Sequence, residues 1–173
     1  LRADKTGNAL NELVNRITTN FTYFYRENAH FDFFVSSILP GTIKRLEAEN
    51  SNDIRIWCAG CATGEEPYTL AISMLEFFGN RYHLWDAGVL ATDISENALR
   101  KATAGIYSDD SLRKVPSRIK KKYFRQLDSG HWQISEKVQR EVLFRRLNLM
   151  NKKFPFKKPF HAIFCRNVMI YFD

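Results

Sequence analysis

Residues 54–68 read Ile-Arg-Ile-Trp-Cys-Ala-Gly-Cys-Ala-Thr-Gly-Glu-Glu-Pro-Tyr. Ile54 to Cys58 is β-branched and aromatic, the composition of a strand. Ala59 to Gly64 is a turn of small residues. From Glu65 to Phe78, Leu70, Met74, Leu75 and Phe78 recur at helical spacing. Pro67 falls in the first turn of that helix, where its missing N–H costs nothing. A strand runs through a glycine turn into a helix.

Working outward, the pattern repeats. Val89 to Thr92 is a short strand ending at Asp93; Ser95 caps a helix through Thr103, which Gly105 closes. Val142 to Leu149 and His161 to Cys165 read as strands, and His131 to Ser135 as a strand or turn. On the N-terminal side, 30–49 reads as helical with a break or fresh start at Pro40-Gly41. The basic stretch 117–126 reads as helical. Strands alternating with helices predict an α/β fold with a largely parallel sheet, and such sheets bind ligands beyond the carboxyl ends of their strands. The residues after Cys58, Thr92, Leu147 and Cys165 are therefore where chemistry is expected.

Composition narrows the class. Of 173 residues, 45% are hydrophobic and 14% aromatic, enough for a packed core and too much for a disordered chain. The longest uncharged stretch, Phe33 to Ile43, is 11 residues and holds Pro40, whereas a spanning helix needs about 20. Three cysteines make no disulfide framework. A cytoplasmic protein without membrane insertion is expected. The absence of an initial Met, and an end at Tyr171-Phe172-Asp173, suggest a chain cut at both ends. Net charge is +7, unevenly spread: residues 1–100 carry 9 basic and 13 acidic groups, and 101–173 carry 17 and 6. The basic half suits an anionic partner or a merely solvated face.

The glycine turn discriminates among ligands. A phosphate-binding loop needs GxxxxGK[ST]; here the spacing is one short, and Glu65-Glu66 stand where the lysine and hydroxyl would be. Carboxylates there repel a triphosphate and suit a ligand with a positive end. Asp93 ends the next strand, where an acid accepts from ribose hydroxyls or simply caps a helix electrostatically. A ribose without phosphates and with a cationic tail describes S-adenosylmethionine. Cys58, Cys61, His161 and Cys165 could in principle hold zinc, but one CxxC without a second pair is weak, and no metal is expected. Phe31, Phe33 and Phe34 read as core rather than as a base-stacking platform.

Several strings together carry a family resemblance. They are Thr-Thr-Asn-Phe-Thr-Tyr-Phe-Tyr-Arg-Glu (18–27), Ile-Trp-Cys-Ala-Gly-Cys-Ala-Thr-Gly-Glu-Glu-Pro-Tyr (56–68), Ala-Thr-Asp-Ile-Ser (91–95), Ala-Gly-Ile-Tyr (104–107), Asn-Leu (148–149) and Ile-Phe-Cys-Arg-Asn-Val-Met-Ile-Tyr-Phe (163–172). In this order the chain resembles the chemotaxis-receptor glutamate methyltransferases of the CheR type. The resemblance implies a Rossmann-like S-adenosylmethionine-dependent methyltransferase fold with helices on both faces of the sheet. It places residues 18–173 in the methyltransferase domain, lacking its C-terminal strands, and makes 1–17 the remnant of an N-terminal helical domain or a linker. Tyr25 departs from the more usual Phe.

The resemblance also implies roles. Asn20, Thr22 and Arg26 match the segment beside the methionyl part of the cofactor. Gly60 and Glu66 match the cofactor turn and its acid, and Asp93 the ribose acid. Asn148 and Leu149 match adenine-side contacts, Asn167 and Val168 methionyl-side contacts. Arg26 and Tyr171 match the catalytic pair nearest the transferred methyl. The implied reaction turns S-adenosylmethionine into S-adenosylhomocysteine and a glutamate side chain into its methyl ester. The implied partner is the acidic helical bundle of a chemoreceptor's cytoplasmic domain, faced by the basic helix 117–126, with a monomer expected and no nucleic acid. A glutamate is already ionised at neutral pH, so no general base is required. A cofactor-binding signalling domain without turnover and a nucleic-acid methyltransferase are the alternatives.

Overall fold

A computed structural model describes residues 21–171. Helix α1 (Ala29–Phe33) passes through a π-helical turn, Phe34–Ile38, into α2 (Leu39–Ala48). Then follow β1 (Asp53–Ala59), α3 (Glu65–Phe78), a 3-10 turn (Gly79–Leu84), β2 (Asp86–Asp93), α4 (Glu96–Ala104) and β3 (Ile106–Tyr107). The rest comprises α5 (Ser117–Tyr123), β4 (Phe124–Gln126), β5 (Trp132–Ile134), α6 (Glu136–Gln139), β6 (Val142–Arg146), β7 (Ala162–Phe164) and a 3-10 turn at Met169–Tyr171.

Strands β6, β2, β1 and β7 lie in that order as a parallel sheet, with β1 paired to β2 over Asp53–Ala59 and to β7 over Ile56–Cys58. This is the expected α/β, Rossmann-like arrangement. One face is dry: Ile56, Cys58, Val89 and Ala91 are buried, with α3 packed against β2 and β6. On the other face the register aligns Leu143, Leu90, Trp57 and Ile163 across all four strands. The outer members of that row stay open, Leu143 at 51% and Ile163 at 57% exposure. Trp57 at its centre is ringed by Phe154, Phe156 and Phe160 at 4.8–5.5 Å, and its Nε1 donates to Thr92 Oγ1 at 2.9 Å.

The structure departs from several of these expectations. The helix in 117–126 ends at Tyr123; Phe124–Gln126 extends into a strand because Phe124 is buried against Phe24 (ring centroids 5.1 Å) while its backbone pairs with β5. That pairing belongs to a small antiparallel sheet, β3-β5-β4, which strands of two or three residues do not announce. At Pro40 the chain does not break, but the fresh start is found: α2 begins at Leu39 with Pro40 in its first turn. Proline cannot donate to the carbonyl four residues back, and the preceding turn is π-helical, which carries the chain past it with helical dihedrals. Phe33 is not core: Phe31 and Phe34 are buried, but Phe33 is 59% exposed. The sixth strand also stops at Arg146 rather than Leu149, although Leu147 N–H still donates to Asp93 O. Among the described residues no helix is long and apolar enough to cross a membrane.

Candidate functional site

The carboxyl ends of β1, β2, β6 and β7 point the same way, so parallel pairing alone brings the four chain segments after them together. After β1 the backbone N–H groups of Gly60 and Cys61 both donate to Thr92 O, closing the turn onto the end of β2. Gly60 has φ +77°, and a Cβ there would stand 2.4 Å from Val168 Cγ2. Gly60 and Val168, 108 positions apart, are thus in contact, and only glycine fits. Gly64 has φ +97° as the residue preceding α3; a Cβ there would meet the Tyr107 hydroxyl at 2.8 Å and Ala102 Cβ at 2.9 Å. Tyr107 OH donates to Thr63 O at 2.8 Å and so braces the turn from outside the sheet.

Asp93 ends β2 and is buried. Its Oδ2 accepts from Ala62 N–H at 2.8 Å and its Oδ1 from Ser95 N–H at 2.9 Å. Ser95 in turn caps α4 by accepting from Ala98 N–H. Glu65 and Glu66 open α3, where the helix dipole favours anions. Glu65 is buried and accepts from Thr63 Oγ1 at 2.7 Å; burial raises its carboxyl above the usual range. Glu66 is raised mainly by burial, against the pull of Arg166 and of the Cys58 thiol, which donates to Oε1 at 3.3 Å. Burial and the facing Glu66 push the Cys58 thiol well above its ordinary value, so it is an inert neutral donor here.

Arg166 is the residue that sequence reasoning left without a role. Its Nη1 lies 2.5 Å from Glu66 Oε2, and its Nη2 lies 2.5 Å from Arg26 O and 3.0 Å from Glu27 Oε2. The Nε is buried with no partner among the described residues. The signal was its place two residues beyond a strand end, a lone cation facing an acidic turn.

Of the other expected residues, Arg26 donates from Nη1 to Phe21 O at 3.0 Å. Thr22 is half-buried in the same segment. That segment is anchored by Phe24, fully buried with its ring edge-on to Tyr107 at 4.9 Å. Asn148 is exposed, its Oδ1 accepting from Met150 N–H at 2.9 Å, and Leu149 is half-buried beside it. Asn167 has φ +55° and reaches Glu27 Oε1 at 3.4 Å. Tyr171 ends the last 3-10 turn. Asn20 and residues 1–17 lie outside the described residues. His161 of the considered zinc set accepts from Arg55 N–H through Nδ1 at 2.9 Å.

The donor set has a definite chemistry. Two carboxylates, Glu66 and Asp93, flank a glycine turn that carries no lysine, and amides stand at the other two strand ends. That fits a cation with ribose hydroxyls and does not fit a polyphosphate. The basic helix is partly spent within the molecule: Arg118 and Lys122 both pair with Glu76. Lys120 pairs with Asp109 at 2.8 Å and lies 3.8 Å over the Trp132 ring.

Comparison with known proteins points the same way. A family profile described as "CheR methyltransferase, SAM binding domain" matches residues 20–173. A chemotaxis protein methyltransferase of Borreliella burgdorferi is 50% identical over 170 residues, covering 97% of this chain and 60% of that protein. A probable chemotaxis protein methyltransferase of Rhizobium etli is 38% identical, covering 95% and 61%. The chemotaxis protein methyltransferase of Escherichia coli K12 is 36% identical, covering 92% and 53%. The chain thus spans 53–61% of the length of these relatives.

Proposed function

The chain belongs to the CheR methyltransferase family, and from that premise we propose that the full-length protein esterifies glutamate side chains of chemoreceptors with methyl groups from S-adenosylmethionine. The observation that carries the reading is the placement of two carboxylates, Glu66 and Asp93, at the mouths of adjacent parallel strands around a glycine turn.

In this reading Glu66 faces the positive end of the cofactor and Asp93 its ribose. Asp93 can do so while holding the turn, because each carboxylate oxygen that accepts one backbone N–H retains a second lone pair. Asn148 and Leu149 border the adenine; Asn20, Thr22, Gly60, Asn167 and Val168 border the methionyl part. When bound, S-adenosylmethionine supplies a methyl group on a sulfonium. A receptor glutamate oxygen forms the new C–O bond as the C–S bond breaks, and S-adenosylhomocysteine leaves. No proton moves, since the glutamate arrives ionised. What remains for the protein is to place the carboxylate in line and exclude water. Arg26 orients it with a fixed charge and forked donors, and Tyr171 with a neutral hydroxyl. Both leave the oxygen nucleophilic.

The receptor surface follows from charge. Lys121, Lys114 and Arg125 are exposed and make no ion pair among the described residues, so they are the cations of this region suited to an acidic helical bundle.

The test incubates full-length protein with methyl-labelled cofactor and a receptor cytoplasmic domain. The expected product is label released as methanol by mild alkali, the signature of a carboxyl ester. Tight S-adenosylhomocysteine binding without transfer would favour a sensor. Label appearing in RNA or DNA, with affinity falling steeply as salt rises, would favour a nucleic-acid enzyme.

A further inference from the structure

We propose that Arg166 is a positioning residue for methyl transfer: a single guanidinium fork joins the cofactor acid Glu66 to the segment that carries Arg26 and holds the two in fixed relation. This rests on the function proposed above.

The geometry is specific. Arg166 is only 11% exposed at its side chain and lies 5.1 Å from the Phe31 ring. Nη1 serves the first turn of α3 through Glu66, and Nη2 serves the N-terminal segment through Arg26 O and Glu27 Oε2. These partners are 100 and about 140 residues away in sequence. The N-terminal segment needs a clamp. Tyr25 has φ +57° and Glu27 φ +54°, left-handed conformations that non-glycine residues adopt only when their surroundings hold them there. Asn167, next to Arg166 and itself at φ +55°, adds a contact from Nδ2 to Glu27 Oε1. Arg26 is therefore placed through its own carbonyl; its guanidinium donates from Nη1 to Phe21 O and lies 4.0 Å from Glu27 Oε1 through Nε, which leaves Nη2 for the acceptor. A planar fork sets two partners at a fixed separation, and an ammonium cannot.

The same residue favours the charged form of Glu66 against burial. Burial, the dominant influence, raises that carboxyl, and Glu27 adds to the rise; Arg166 and the Cys58 thiol donor oppose it. Cys165 also faces Glu66, and His30 Nδ1 lies 3.5 Å from Glu27 Oε2. Without Arg166, Glu66 takes up its proton at a higher pH and no longer accepts from an ammonium.

The experiment uses the full-length protein with Arg166→Met, Arg166→Lys and Glu27→Gln. S-adenosylhomocysteine is titrated by calorimetry from about pH 5 to about pH 9, alongside steady-state transfer. Arg166→Met is expected to weaken binding about tenfold at neutral pH and to move the acid limb of the affinity profile upward. Arg166→Lys keeps the charge but not the fork, so the acid limb stays near wild type while kcat falls and the KM for cofactor changes little. Glu27→Gln lowers kcat without an upward shift of the acid limb. If Arg166→Met does not fold, the other two variants carry the decision. Wild-type binding with unmoved profiles and unchanged kcat in the variants overturns the positioning role alone. No binding by the wild type overturns the proposed function, and this inference with it.

Discussion

The carboxylate of Asp93 accepts the backbone N–H of Ala62 at 2.8 Å, so the acid that ends β2 holds the turn that follows β1. Ala62 sits at φ +46°, a costly conformation for alanine, and the bond to Asp93 holds it there. The helix-capping and the ligand-binding readings of Asp93 are therefore compatible. Its Oδ1 serves Ser95 N–H at the start of α4 and its Oδ2 serves the turn.

Asp93→Asn offers one oxygen where two are used, and its amide nitrogen must face a backbone N–H. A stability loss of about 1–3 kcal/mol is expected. Thermal unfolding measures it. S-adenosylhomocysteine affinity should fall in the same variant, because the turn and the proposed ribose acceptor are lost together.

Gly60→Ala places a Cβ at φ +77° and 2.4 Å from Val168 Cγ2. Backbone strain contributes about 1–2 kcal/mol, and the overlap adds to it. Combining it with Val168→Ala removes the overlap but not the strain. The double variant should thus recover part of the stability lost by Gly60→Ala, a non-additivity that a double-mutant cycle reads directly.

Glu76 accepts from Lys122 Nζ at 2.6 Å, from Tyr123 OH at 2.8 Å and from Arg118. Burial opposes its charge, but these bonds outweigh burial and bring its carboxyl down to about 2. Because the folded value lies below the unfolded one, its contribution is complete above the ordinary carboxylate range. It is lost as pH falls towards about 2. Glu76→Gln should lower stability at neutral pH, with solvent screening of the exposed partners limiting the loss to about 1 kcal/mol. Denaturant melts at a series of pH values should show the difference from wild type vanishing in acid.

Tyr171→Phe removes only a hydroxyl. In the full-length protein kcat should fall about 10–100-fold while S-adenosylhomocysteine affinity stays within about twofold. An equal loss in both would remove Tyr171 from the proposed catalytic pair.

Phe24→Ala should cost about 3–5 kcal/mol, since its ring is fully buried between Tyr107 and Phe124. Chemical denaturation measures this. Phe21, exposed three positions earlier, should tolerate alanine with little loss of stability.

Local signals were legible because they are short-range. The run from Glu65 to Phe78 has helical spacing and a proline its first turn accepts, and the helix found has those bounds. Ser95 and Gly105 each mark an end of α4 through a side chain or a dihedral that neighbours in sequence determine. Gly60 and Glu66 stand out as candidates because glycine and paired acids are unusual after a strand. Phe124 was misread because its helical run is local, whereas its burial against Phe24 depends on a residue 100 positions away. Of the three short strands of the second sheet, β5 lies within the stretch 131–135 that reads as a strand or turn, whereas β3 and β4 escape for the same reason: two or three residues carry no period.

The alternation of strand and helix, the glycine turn with its acids, and the family to which the chain belongs are all written in contiguous residues. Three contacts emerge from tertiary packing alone: Val168 closes over Gly60, Asp93 holds the turn, and Arg166 ties Glu66 to Arg26 and Glu27. Each of these contacts joins segments about 30 to 140 residues apart, brought together by the parallel order β6-β2-β1-β7. Strand order is a property of the pairing between segments, and no single segment carries it.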